Sequence, residues 1–74
     1  MKLNELAAGT NARVKTLQGD AHFLNRTASI GLTEGVPFQV VRNDRNMPML
    51  LYVRETLLAL NRADCERIEA EVKA

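Results

Sequence analysis

Seventy-four residues, with ten Lys and Arg against nine Asp and Glu, describe a single domain of net charge +1. That balance, with three aromatic residues, argues against a nucleic-acid binder, which carries a basic excess on some face. The longest apolar run, Met49 to Val53, falls far short of the roughly 20 residues that span a bilayer, so no membrane insertion is expected. Cys65 is the only cysteine, which excludes an internal disulfide and suits a reducing compartment.

The N-terminal stretch MKLNELAAG lacks the continuous apolar segment of a secretory signal, and the expected setting is the cytoplasm. Lys2 to Ala8 can form one helical turn with Leu3 and Leu6 on the same side, ended by Gly9-Thr10-Asn11. Ala12, Val14 and Thr16 then alternate with Arg13 and Lys15 as a half-buried strand, and Leu17 breaks the alternation at a bulge or strand end. Asp20 is placed to cap a helix from Ala21 to Ile30. In that helix Phe23, Thr27 and Ile30, with Leu24 and Ala28 beside them, form the apolar face, and Asn25, Arg26 and Ser29 face out.

Gly31 stands where a helix takes a left-handed residue after its last turn, and Leu32 can fold back over that turn. Gly31 and Gly35 bracket Leu-Thr-Glu and turn the chain into a strand on which Val36, Phe38 and Val40 alternate. Pro37 has no backbone donor, so its nitrogen must face away from the ladder. Asn43 to Pro48 reads as a hairpin loop, Met49 to Val53 as the return strand, and Arg54-Glu55-Thr56 as a tight connection to a strand over Leu57 to Leu60. A single helical turn capped by Asn61 follows, and Ile68, Ala70 and Val72 alternate to the end. Five short strands with one inserted helix predict a mainly β single domain over residues 1–74, built as a small barrel whose closure would remove exposed edges.

Catalytic chemistry finds little to work with. His22, Asp20 and Cys65 lack the spacing of a metal site, and no HxxxH or CxxC pair exists. Asp64 and Glu66 flank Cys65 and oppose its ionisation, so the thiol is expected to act as a small core filler. The Gly31–Gly35 corner ends a helix and has no phosphate-loop lysine, whereas phosphate sites open helices. No nucleophile, base and orienter can be assembled, so neither an enzyme nor a cofactor is expected. What remains is surface: Arg42, Arg45 and Arg54 flank the central hairpin, with Met47, Pro48, Met49 and Tyr52 nearby, residue types favoured at interfaces.

In this order the elements resemble the FeoA family, the small cytoplasmic components of bacterial ferrous-iron uptake. LNELAAGTNARV (3–14) is similar to the family's Leu-x-x-Leu-x-x-Gly-x-x-Ala-x-Val opening. GDAHFLNRTASIGLTEGVPFQVV (19–41) is similar to its helix ending in Arg-Leu-x-x-Leu-Gly, followed by a glycine-led Val-Val strand, and Leu58-Ala59-Leu60 recurs after a Pro-containing hairpin. The departures are Thr27 and Ile30 in place of leucines, Glu55 at a frequent glycine, and Asn61 at a common arginine. A related likeness is to the SH3-like C-terminal domain of metal-dependent repressors.

The resemblance implies an SH3-like barrel with an inserted helix, acting as an accessory to a FeoB-type membrane iron transporter with a cytoplasmic GTP-binding domain. The partner surface it suggests joins the outer face of the helix to the hairpin: Arg26, Thr27, Arg42, Met49 and Tyr52. Self-association through the leucine-rich strand is a further expectation. No metal ligand set is expected on this chain.

Overall fold

The computed structural model describes residues 1–73. A 3-10 turn over Leu3–Glu5 leads into strand β1 (Asn11–Leu17), helix α1 (Ala21–Ser29), strands β2 (Pro37–Arg42), β3 (Met49–Val53) and β4 (Thr56–Leu60), the short helix α2 (Arg62–Cys65) and strand β5 (Ile68–Val72). The strands form one antiparallel sheet in the order β4-β3-β2-β1-β5. The curled sheet encloses a core drawn from every strand, among them Val14, Val40, Leu51, Leu60 and Ile68, with Leu3 and Leu6 of the first turn and Phe23 of α1 also fully buried. The expected closure does not run through hydrogen bonds: among the described residues no ladder joins β4 to β5, and α2 bridges them instead.

The helix ends follow the sequence. The Asp20 carboxylate accepts from the Phe23 N–H at 2.9 Å, satisfying one of the donors a helix start leaves free. At the other end the Leu32 N–H donates to the Thr27 carbonyl at 2.9 Å and the Gly31 N–H to the Ala28 carbonyl at 3.0 Å. This paired closure needs a left-handed residue between them, and Gly31 sits at φ 89°. Leu32 then folds back into the core as expected. Asn61 caps α2 by accepting from the Asp64 N–H at 2.8 Å.

Three details differ from the sequence pattern. The strand β1 ends at Leu17, one of the two outcomes expected there, but it also carries a bulge the pattern does not show, at Lys15 between the pairs Val14↔Ala70 and Thr16↔Glu69. The helix is regular only to Ser29. Ile30 has left helical geometry (φ −100°, ψ 7°), so its side chain departs from the Phe23–Thr27 line and is 40 % exposed. Leu24 and Ala28 are exposed too, which narrows the buried face of α1 to Phe23 and Thr27.

Candidate partner-binding surface

Strand periodicity sorts the hairpin residues. In β3 Met49, Leu51 and Val53 point into the core, so Leu50 and Tyr52 point outward. Across from them on β4 stand Ala59, paired with Leu50, and Leu57, paired with Tyr52. On the other side Gln39 pairs with Tyr52 and Arg42 with Leu50. Arg42 reaches that face through a bulge: β2 pairs Val40 with Leu51 and then Arg42 with Leu50, leaving Val41 as the extra residue. In a regular strand Arg42 would share the inward side with Val40; the inserted residue turns it out.

The result is a hollow of about 210 Å³ lined by Arg42, Asp44, Met47, Pro48, Leu50 and Ala59. Arg42 is ion-paired with Asp44 at its rim. The loop beneath is held at both ends. The Asn43 side-chain amide donates to the carbonyls of Asn4 (3.1 Å) and Leu6 (2.7 Å). Arg62 of α2 donates to the carbonyls of Asp44 and Met47, each at 3.1 Å.

A second hollow, of about 280 Å³, lies on the other side of Ala59, between the end of β4 and the C-terminal half of α1. Thr27, Ile30, Leu60 and Asn61 contribute to its walls, and Arg26 and Asp64 stand together there. The Arg26 guanidinium donates to Asp64 Oδ1 at 3.1 Å and lies 5.7 Å from the centre of the Phe23 ring. Arg67 covers the same ring at 5.4 Å. A guanidinium within about 6 Å of an aromatic ring centre is a favourable contact, and Phe23 makes two.

Of the five residues expected on a partner surface, three have exposed side chains and two do not. Arg26, Arg42 and Tyr52 are exposed. Thr27 and Met49 are corrections: Thr27 is 2 % exposed with its hydroxyl donating to the Leu24 carbonyl at 3.0 Å, and Met49 is wholly buried in the core. The reason is geometric. Met49 and Tyr52 are three residues apart on one strand and therefore lie on opposite faces, and Thr27 follows Phe23 by one helical turn. Leu50, Leu57, Ala59 and Ile30 are the surface residues the sequence reading left out. For the first three, the outward period-2 positions opposite a buried Met49 were the available signal.

Among the described residues no three His, Cys, Asp or Glu side chains gather into a metal-holding group. The Cys65 thiol is buried, and burial, more than its acidic neighbours, pushes it up to about 11. It behaves as an inert filler rather than a nucleophile. No helix among the described residues is long and apolar enough to cross a membrane.

Comparison with known proteins supplies the family. The FeoA domain model matches residues 1–72. The chain belongs to the FeoA family. No curated protein sequence matches it. Among solved structures, an iron uptake regulatory protein (FeoA) superposes with a TM-score of 0.94 at 22 % identity, covering 99 % of this chain and 97 % of that one. The FeoA protein from Chlorobium tepidum gives 0.86 at 29 % identity, over 100 % of this chain and 71 % of the other. Stenotrophomonas maltophilia FeoA, solved with zinc, gives 0.81 at 25 % identity over 96 % and 89 %. That protein is described as a prokaryotic SH3 domain and as a candidate activating factor of ferrous iron transport. The SH3-like architecture expected from the resemblance is therefore the fold of this family, with α1 inserted after β1.

Proposed function

We propose that this FeoA protein is a non-catalytic accessory factor of ferrous iron uptake. It works on the cytoplasmic side by docking on a FeoB-type membrane transporter with a GTP-binding domain. The observation that carries the reading is the outward face of β3 and β4 on a fold whose Stenotrophomonas relative is described as a candidate activating factor of ferrous iron transport. Leu50, Met47 and Pro48 line an apolar hollow with Arg42 at its rim, and Tyr52 is exposed on the same face. Apolar surface with an arginine and a tyrosine beside it is the composition from which binding hot spots are built.

The test is titration of the purified protein into the soluble cytoplasmic domain of its FeoB partner, with and without guanine nucleotide, following binding and GTP hydrolysis. Binding is expected, with at least a tenfold loss of affinity for Tyr52→Ala or Leu50→Asp, on the order of the contribution a single interface anchor makes. No binding at high micromolar concentration, or binding that both variants leave unchanged, rejects the surface.

A further inference from the structure

The two edges of the sheet are guarded very differently. At β5 the Ala70 N–H donates to the Met1 carbonyl at 2.7 Å, Lys2 bridges Glu69, and the strand itself carries Glu69 and Glu71. The β4 edge reads Thr-Leu-Leu-Ala-Leu, with no charge, proline or bulge. Natural edge strands ordinarily carry such devices against pairing. Among the described residues no backbone hydrogen bond outside the β3–β4 ladder reaches Thr56 to Ala59. Arg54 (φ 48°) and Glu55 (φ 64°) form a two-residue turn, which makes Val53↔Thr56 the hydrogen-bonded closing pair. Antiparallel alternation then assigns the remaining bonds to Leu51↔Leu58 and Met49↔Leu60. The N–H and C=O groups of Leu57 and Ala59 are left pointing outward.

We propose that this edge pairs, antiparallel, with the same edge of a second copy of the chain, about a two-fold axis at Leu58. That register sets Leu57 of each copy opposite Ala59 of the other, so every outward peptide group meets one in phase. A register centred on Leu57 or on Ala59 would bond only half of them within the strand.

The side chains fit the same register. Leu57 is 58 % exposed, the most exposed residue of its kind after Met1. Ala59 is the smallest residue of the strand and borders the apolar hollow. The pairing brings the large side chain across from the small one, next to Leu50 and Met47. Continued by two residues, it sets Glu55 opposite Asn61 of the second copy, at the rim of the hollow where the half-exposed Arg26 guanidinium stands. A carboxylate and a guanidinium then face each other twice, as the two-fold requires. Glu55 thereby gains a role at a left-handed position that a glycine would occupy more easily.

This inference does not rest on the transporter reading. The test therefore uses this protein alone. Sedimentation velocity is run from about 10 µM to about 1 mM, a range that captures interfaces of modest size. Amide hydrogen exchange is read residue by residue at both extremes. The expected result is a concentration-dependent shift to the dimer, with the Leu57 and Ala59 amides slowed about tenfold or more while Leu58, already bonded to β3, keeps its rate. Leu57→Lys and Glu55→Lys are each expected to weaken association, the first by about tenfold or more, with the monomer still folded because both side chains are exposed. A monomer at every concentration overturns the proposal. So does a dimer that Leu57→Lys leaves intact, or one in which the Leu57 and Ala59 amides exchange as fast as in the monomer.

Discussion

Phe23 on one flank of this small sheet and Leu57 on the other have opposite fates. On the α1 flank Phe23 is enclosed completely: Gly19 makes room for its ring, Arg26 and Arg67 cover it, and Asp20 and Gly31 fix the ends of the helix that carries it. On the β3–β4 flank Leu57, Tyr52 and Met47 stand in solvent around an apolar hollow. The α1 flank exposes Leu24 and Ile30 too, but the most exposed apolar side chains within the strands and hairpin, Leu57 and Met47, gather on the β3–β4 flank. On the reading proposed above, the open flank is where a partner would supply the cover.

The comparison breaks most visibly at Phe23. Phe23→Ala should cost about 3–5 kcal/mol, the usual range for emptying a buried aromatic site, measured by urea unfolding. Leu57→Ser on the opposite flank should stay within about 0.5 kcal/mol in the same experiment. Gly19→Ala comes next. A Cβ at that position would lie 2.4 Å from Cδ2 of the Phe23 ring, so the ring must move. The expected cost is about 1–3 kcal/mol, in line with other overpacked cores, and loss of the aromatic ring-current shifts around Phe23 would show the displacement by NMR.

Glu55→Gly sharpens the contrast from the other side. It should raise stability by up to about 1 kcal/mol, because glycine accepts φ 64° without the left-handed penalty. The same change should weaken self-association by removing the carboxylate that faces Arg26. A variant more stable and less associated would show that the open flank keeps a charge at the expense of folding.

The last effect, a loss of stability, appears only at high pH. Burial lifts the Cys65 thiol from an ordinary 9.0 to about 11, so the folded state favours the neutral form. Its contribution to stability is complete below about pH 9 and disappears as pH rises through about 11. Wild type and Cys65→Ala, compared by thermal unfolding between pH 8 and pH 11, should converge across that window. A difference that stays constant with pH would mean the thiol is not desolvated.

Much of the fold was legible because its punctuation is chemical. Asp20 and Asn61 announced the two helix starts, Gly31 and Leu32 the closure of α1, and alternation alone placed β1, β2 and β5. The partner surface was legible only in part. Met49 to Val53 is apolar at every position, so composition gives no sign of which alternate set faces the core, and the choice of Met49 together with Tyr52 asked one strand to point both ways. Ile30 failed for a different reason: the turn tightens at the residue before Gly31, and a helical spacing counted through that point no longer describes a face. The β2 bulge that turns Arg42 outward leaves no mark in the sequence, since its extra residue is an ordinary valine.

One contact bears on how the open flank performs. Arg62 reaches from α2 to the carbonyls of Asp44 and Met47, across the loop that forms one wall of the apolar hollow. A six-residue loop free to sample many conformations would have to be ordered by whatever binds there, at a cost of about 0.5–1.5 kcal/mol for each flexible group immobilised. The guanidinium has already done that ordering in the free protein. The hollow is therefore preorganised, and under the proposed docking its affinity would be set partly by a residue that need never touch the partner.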